Sequence, residues 1–413
     1  MTVSRGALPV PADFAAPPSE RQLRLWAEAD RGARPARLAR LRERFAEAGV
    51  DAYFGVRREH MRYLTGFTLA EGEERSAGDS GQLLVSGAEV VVLADSRYSV
   101  QVRRECPEAR VFESYRDLPR RWPGLLASVG ARRVAVEADL VSHTDWLRLQ
   151  DAAPDIELVV AGPWLAADRA HKEPAELERV AAACAVADRA LATLLPRIRP
   201  GVTEAQLALE LEWQMRTNGA EALAFDVACL SGPEAALPHG SPGQRPVLND
   251  AVLLFDFGAQ VAGYRSDMTR TLFVGEPTTR DLAIYELVAS AQRAAITALE
   301  AGVVAAASDG ALLPSGRAID AAARDVIEAG GHGEHFGHAL GHGIGLATHE
   351  GPGLGRRAPE EPLPGRTVFS VEPGVYLEGE TGVRIEDLIA LDAGAGTLER
   401  LTQFPNEVIV VGG

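Results

Sequence analysis

Two stretches of this 413-residue chain read as β-hairpins that carry acids where a hairpin should be apolar. The first is AVLLFDFGAQVAGYRSDMTRTLFVG, residues 251–275, and the second is VFSVEPGVYLEGETGVRIEDLIAL, residues 368–391. Centring the first turn on Val261 and Ala262 sets Asp256 opposite Asp267. Centring the second on Gly379 sets Glu372 opposite Glu386. Directly opposed residues share one face and lie roughly 4.5–5.5 Å apart at Cβ. Two carboxylates so placed repel unless something positive sits between them. A single acidic pair is ordinarily a solvated face; two pairs, each flanked by apolar runs, point to a cation. Pro373 beside Glu372 adds the expectation of an edge or bulged strand.

Between the hairpins lies FGHALGHGIGLATHEGPG, residues 336–353. Five of the chain's nine histidines fall within the eighteen residues His332–His349. Taken alone, this run fits a metal-buffering tract, a phosphate loop or one wall of an active site. Neither GHGIG nor GPGLG completes GxGxxG in a strand–turn–helix frame, and DFG at 256–258 lacks the companion motifs of a kinase. With the two acidic hairpins the third option gains ground. A mainly carboxylate site with one imidazole suits Mn²⁺ or a similar first-row dication. Two such ions about 3.5–4 Å apart activate water for hydrolysis.

Length alone suggests two domains. Residues 1–35 read as an N-terminal extension, Pro- and Ala-rich to about residue 20. Residues 36–165 read as a small α/β domain, with an amphipathic helix ending at Gly49, a hairpin in GQLLVSGAEVVVLADSRYSVQV, and strands in RRVAVEAD and IELVVAG. Pro174 then opens a long helix, and residues 170–413 form the second domain. Within it RPGVTEAQLALELEWQMRTNGA and LPSGRAIDAAARDVIEAGG share one plan of Pro-Gly turn or cap, helix and Gly stop. Each follows a long helix, at 174–197 and 278–301, so two helix pairs with similar sequels suggest an internal duplication. Two ordinary helical hairpins would read alike.

The net charge of −16 argues against nucleic acid or an anionic membrane as a partner, since both need basic surface. Three scattered cysteines, Cys106, Cys184 and Cys229, form no framework. No signal-peptide core and no uncharged apolar run of membrane-span length is visible. The expectation is a cytoplasmic protein.

The residue set resembles the pita-bread metallopeptidases, the family of Xaa-Pro aminopeptidase (aminopeptidase P), prolidase and methionine aminopeptidase. The resemblance covers about residues 170–413, with the small domain similar to that of the aminopeptidase P, prolidase and creatinase branch. It implies an α+β fold: a pita-bread catalytic domain with internal pseudo-duplication, preceded by a smaller α/β creatinase-like N-terminal domain. It implies two divalent metal ions, Mn²⁺ foremost with Co²⁺ or Zn²⁺ as alternatives. Asp256, Asp267, His342, Glu372 and Glu386 would be the ligands, with Asp267 and Glu386 bridging. Glu372 would also take a proton from the attacking water. His239, His338 and His349 would line the substrate side, and Tyr376 and Arg384 would orient the ligands. The implied reaction is hydrolysis of the bond preceding proline, releasing the N-terminal residue (Xaa-Pro aminopeptidase). Action on Xaa-Pro dipeptides alone (prolidase), or a non-catalytic binding role on the same fold, are the alternatives. A proline-containing peptide is the expected partner, and a homodimer or higher homo-oligomer the expected assembly. DSRY, residues 95–98, resembles a stretch of the small domain in aminopeptidase P relatives; Arg97 there reads as reaching a neighbouring subunit's site or, at least as well, as a structural ion pair.

Overall fold

The computed structural model describes residues 8–69 and 77–412. The chain divides into two units, Arg24–Asp168 and Arg169–Gly413, and the stretch ending at Leu23 belongs with the second.

The first unit is built on one sheet of six strands: β1 (Ala52–Gly55), β2 (Leu83–Ser86), β3 (Val90–Ala94), β4 (Arg110–Glu113), β5 (Arg133–Val136) and β6 (Glu157–Val160). Their order is β4-β3-β2-β1-β5-β6. β2 and β3 are buried along their whole length, the mark of strands covered on both faces. Trp122, on helix Leu118–Val129, meets Phe54 of β1 edge-on at 4.9 Å between ring centres, a pairing worth about 0.5–1.5 kcal/mol beyond its buried area. The hairpin expected at 81–102 holds only through Ala94; Ser99–Glu105 is helical.

The second unit repeats a plan. Helix Pro174–Leu194 precedes helix Glu204–Thr217, and helix Thr279–Asp309 precedes helix Gly316–Ala329. A hydroxyl caps the second helix of each pair: Thr203 accepts from the Gln206 N–H, and Ser315 from the Ala318 N–H. Each cap residue also bridges to a proline, Thr203 to Pro246 and Ser315 to Pro362. The strands that follow the first pair are β7 (Ala222–Leu223), β8 (Ala228–Ser231), β9 (Ala251–Phe257), β10 (Ala259–Val261), β11 (Tyr264–Arg265) and β12 (Met268–Val274). After the second pair come β13 (Gly341–Gly343), β14 (Glu350–Leu354), β15 (Arg366–Val371), β16 (Gly374–Leu377), β17 (Thr381–Arg384), β18 (Asp387–Asp392), β19 (Thr397–Arg400) and β20 (Val410–Val411). They form a sheet β20-β12-β9-β8, a sheet β14-β13-β15-β18-β19, a three-stranded sheet β11-β10-β7 and the ribbon β16-β17.

Helix Thr279–Asp309 has the length and apolarity of a membrane span. Its face bearing Val288, Ala291, Ala295 and Leu299 is nevertheless buried in the same core as Phe369, Val371, Val383 and Ile385. It runs eight residues past its expected end and stops at Gly310, whose φ of 65° suits a helix terminus.

Helix Glu20–Ala48 is continuous through Pro35, where the sequence reading ended the extension and began the small domain. Proline removes one helical hydrogen bond. Across that turn Asp30 accepts from Arg34 Nη2 at 3.1 Å and from Arg37 Nη1 at 2.8 Å, tying the two sides together. The N-terminal stretch, of which residues 1–7 lie outside the described residues, is no free extension from residue 8 onward. It makes a 3₁₀ turn at Pro11–Asp13, Arg189 Nη1 donates to Pro11 O at 2.7 Å, and Phe14 stacks on Phe404.

Candidate metal centre

Both acidic hairpins are interrupted where their acids lie. In the first, β9 gives way to β10 at Gly258, and β11 gives way to β12 across Ser266 and Asp267. A Cβ on Gly258 would lie 2.0 Å from the Ser266 carbonyl oxygen, so only glycine allows the two strands this approach. The register is not the one expected. Val261 pairs with Tyr264 and Asp256 with Thr269, not with Asp267. The turn is centred one residue later, on Ala262 and Gly263, with φ values of 48° and 86°. Both central residues being left-handed defines the tight turn whose twist matches the strands, and alanine there hides the signal. Asp267 reaches the same cavity as Asp256 because it lies two residues from Thr269 in the interruption.

In the second hairpin the expected register holds. Val371 pairs with Asp387 and Gly374 with Arg384, which leaves Glu372 across from Glu386 in the gap. Neither glutamate N–H stays within the hairpin: Glu372 donates to Leu340 O at 2.8 Å and Glu386 to Thr269 O at 3.2 Å. These bonds join the two acidic hairpins and the histidine segment.

The five expected ligands line one cavity of about 390 Å³ together with His239, His338, His349 and Arg384. His342 Nδ1 lies 3.1 Å from the Gly343 carbonyl. A carbonyl only accepts, so Nδ1 carries the proton and the Nε2 lone pair faces outward. That nitrogen points at carboxylates, 3.4 Å from Glu372 Oε1 and 3.7 Å from Asp267 Oδ2. Burial holds the His342 pKa below the usual range, which leaves the ring neutral at pH 7. A lone pair facing two carboxylates calls for a positive charge between them, a shared proton or a cation.

The acids make the same demand. Asp267 and Glu386 are 5 % and 2 % exposed. Burial, then repulsion among the neighbouring carboxylates, pushes both well above the usual carboxylate pKa; burial also raises Glu372 to about 7. One oxygen of Asp256 and one of Glu386 are held by the protein. Asp256 Oδ2 accepts from Arg384 Nη2 at 2.6 Å, and Glu386 Oε2 from Thr269 Oγ1 at 2.7 Å. The other oxygen of each, Asp256 Oδ1 and Glu386 Oε1, is buried without a partner. Ligand atoms of Asp267, His342 and Glu386 lie within 4.8 Å of one another. Bare buried oxygens, mutual repulsion and a neutral imidazole together fit divalent cations.

Around these groups runs a hydrogen-bonded rim. Arg384 Nε donates to Thr269 Oγ1 and Nη1 to Tyr376 Oη, both at 2.8 Å. Tyr376 Oη lies 2.9 Å from His338 Nε2, and His338 Nδ1 lies 2.7 Å from Ala339 O. The order is therefore guanidinium to phenol to imidazole to carbonyl, with Tyr376 as donor to a neutral His338, whose pKa burial lowers to about 4. His338 thus uses both nitrogens within the protein. His239 and His349 are exposed on the cavity wall, with the His349 ring 4.1 Å from that of His342. His332 and His335 do not line the cavity.

Two residues of the rim escaped the sequence reading. Thr269 links Arg384 to Glu386, and Ser370 Oγ accepts from the His342 N–H at 3.0 Å while donating to Glu372 Oε1 at 2.9 Å. Each stands two residues from an expected ligand along a strand path, the spacing that puts side chains on one face, and that was the available signal.

Residues 178–393 match metallopeptidase family M24, and residues 37–171 match the creatinase/prolidase N-terminal domain. The chain is 32% identical over 375 residues to YqhT, an uncharacterized peptidase of Bacillus subtilis (strain 168), covering 91% of this chain and 100% of that one. It is 29% identical over 363 residues to an Xaa-Pro dipeptidase of Pyrococcus horikoshii, covering 87% and 95%. Among solved structures it resembles an Xaa-Pro dipeptidase from Bacillus anthracis, with a TM-score of 0.80, 32% identity and coverage of 91% and 99%. The X-Pro aminopeptidase from Thermotoga maritima MSB8 gives a TM-score of 0.79, 33% identity and the same coverage, 91% and 99%.

Proposed function

The chain belongs to metallopeptidase family M24, and from that premise we propose that it is an Xaa-Pro aminopeptidase, releasing the N-terminal residue from peptides with proline second. Its fold is the pita-bread fold with a creatinase-type N-terminal domain, and it is a metal-dependent hydrolase of the Xaa-Pro peptidases. The observation that carries the site assignment is the unprotonated His342 Nε2 facing Asp267 and Glu372.

On this reading Asp256, Asp267, His342, Glu372 and Glu386 hold two divalent ions, Mn²⁺ in preference. Bound there, the ions would polarise the scissile carbonyl and supply a nucleophilic water at neutral pH. Glu372, its Oε1 fixed by Ser370, takes the proton that the attacking water gives up. His239 and His349, free on the wall, donate to the developing oxyanion or to the leaving proline nitrogen. His338 acts through Tyr376 and Arg384, keeping Asp256 aligned.

A dipeptidase must recognise a free carboxylate beside the proline ring. Among the described residues lining the cavity, Arg384 is the only Arg or Lys, and Asp256 and Tyr376 already engage it. That favours longer peptides. The dipeptidase reading is supported instead by the names of the Pyrococcus horikoshii and Bacillus anthracis relatives. Kinetics on an Xaa-Pro dipeptide and an Xaa-Pro-Yaa tripeptide with Mn²⁺ separate the two: turnover of the dipeptide alone ends the aminopeptidase reading. Glu372→Ala abolishes turnover of both. A protein that binds neither Mn²⁺ nor Co²⁺ and cleaves no proline peptide ends the enzyme reading itself. We also propose a homodimer; a light-scattering mass near the 44.0 kDa of one chain would count against it.

A further inference from the structure

An interrupted ribbon must find new partners for the backbone groups it frees. The β15–β18 ladder ends at the Val371–Asp387 pair and β16–β17 resumes at Gly374–Arg384. Of the groups in between, the N–H of Glu372 and the N–H of Glu386 leave for Leu340 and Thr269, as above. The carbonyls just before the two glutamates, those of Val371 and Ile385, both turn to one side chain. Gln292 Nε2 lies 3.2 Å from Val371 O and 3.3 Å from Ile385 O.

Gln292 stands on helix Thr279–Asp309, among Val288, Ala291 and Ala295, and is 1 % exposed. A hydrocarbon side chain would be the ordinary occupant of that face, because a buried carboxamide is costly unless each of its atoms is paired. Every atom is paired. Nε2 also lies 3.0 Å from Asp387 Oδ2, and Oε1 accepts from Asn406 Nδ2 at 3.2 Å. Arg270, also 1 % exposed, holds the other side of the same break. Its Nη1 donates to Thr269 O at 2.9 Å and to Glu386 O at 2.5 Å, and its Nη2 to Asp387 Oδ1 at 2.6 Å.

We infer that Gln292 is a positioning residue of the metal centre: its carboxamide, where strand pairing is reduced to one long bond, fixes the spacing at which Glu372 and Glu386 face each other. Among the described residues the strands keep one long ladder bond at this point, from the Ile385 N–H to Pro373 O at 3.4 Å, too weak on its own to hold that spacing. One rigid amide bridging both carbonyls acts as a strut one residue away from each carboxylate-bearing Cα. The inference rests on the reading of Glu372 and Glu386 as ligands.

The test compares Mn²⁺ titration calorimetry, thermal melting and Xaa-Pro peptide kinetics for the full-length wild type, Gln292→Met and Tyr285→Phe. Methionine keeps the volume and cannot donate. Tyr285, two turns earlier on the same helix, donates to Asn406 O at 3.1 Å and Glu407 O at 3.0 Å, outside the break. Gln292→Met should bind Mn²⁺ about tenfold or more weakly and lose kcat in proportion, with KM changed less than about twofold. Tyr285→Phe should melt earlier and bind Mn²⁺ as the wild type does. If Gln292→Met does not fold, Gln292→Asn, which withdraws the carboxamide by one methylene, takes its place with the same expectation. Mn²⁺ affinity retained in the Gln292 variant, or lost equally in Tyr285→Phe, overturns the inference. A wild type that binds no Mn²⁺ overturns the ligand reading first, and the inference with it.

Discussion

Arg384→Met removes the one guanidinium among the described residues that line the cavity. Its fork reaches Asp256 Oδ2 at 2.6 Å, Tyr376 Oη at 2.8 Å and Thr269 Oγ1 at 2.8 Å, and the residue is 3 % exposed. Methionine fills the stem, so the loss is electrostatic rather than a void. Leaving Asp256 charged and unpaired in a buried site costs about 3–5 kcal/mol. At roughly 2–4 °C per kcal/mol for a domain of about this size, the metal-free variant should melt about 6–20 °C below the wild type. The assay is differential scanning calorimetry in excess chelator, so that no bound cation substitutes for the lost charge. With saturating Mn²⁺, Xaa-Pro turnover should fall about 10–100-fold, the usual consequence of losing a ligand's orienting partner. Arg384→Lys keeps the charge and loses the fork, so stability should recover further than turnover does. A chelated Met variant melting within about 2 °C of wild type would mean that the acids do not depend on the guanidinium for their place.

Thr269→Val keeps the shape and deletes the hydroxyl between Arg384 and Glu386; Mn²⁺ affinity by calorimetry should drop about tenfold and return with Thr269→Ser. In Gly258→Ala the new methyl meets the Ser266 carbonyl at 2.0 Å, so β9 and β12 must part beside Asp256 and Asp267; urea melts should show a loss of about 1–3 kcal/mol, and turnover should fall with it. Glu137 of the first unit is buried, which raises its pKa, but His60, Tyr53 and the Arg57 N–H outweigh burial and hold it at about 2. Its folded pKa lies below the unfolded one, so the stabilisation is fully present above about pH 4.5 and is lost as pH falls towards about 2, a total of about 3 kcal/mol. Unfolding free energies of wild type and Glu137→Gln should therefore differ at neutral pH and converge in acid; a gap independent of pH would contradict this.

The two hairpins show how far the chain could be read unaided. The second register was legible because Glu378-Gly379-Glu380 places glycine at the turn, at φ 71°, and glycine marks such positions. The first was misplaced because its turn uses Ala262 in the left-handed region, where alanine gives no warning. The five expected ligands line one cavity despite that error, since a cavity requires convergence of side chains and not direct opposition across a ladder. Helix Glu20–Ala48 runs through its proline with Arg34 and Arg37 both bonded to Asp30 of the same helix, side-chain bonds that a breaker residue does not announce.

Residue type and order by themselves determined that carboxylates and an imidazole would gather between apolar strands, and hence that a cation was needed: acids that cannot be solvated must be neutralised. The tertiary structure alone decided how they gather. Each acid sits where a strand pair is interrupted, and an interruption is defined by where the freed N–H and C=O groups go. Those partners, Leu340, Thr269 and Gln292, lie on other elements, the last on a helix some eighty to ninety residues earlier in the chain than the carbonyls it holds. No local pattern encodes a hydrogen bond across that distance, because it exists only once the sheets and helices have packed.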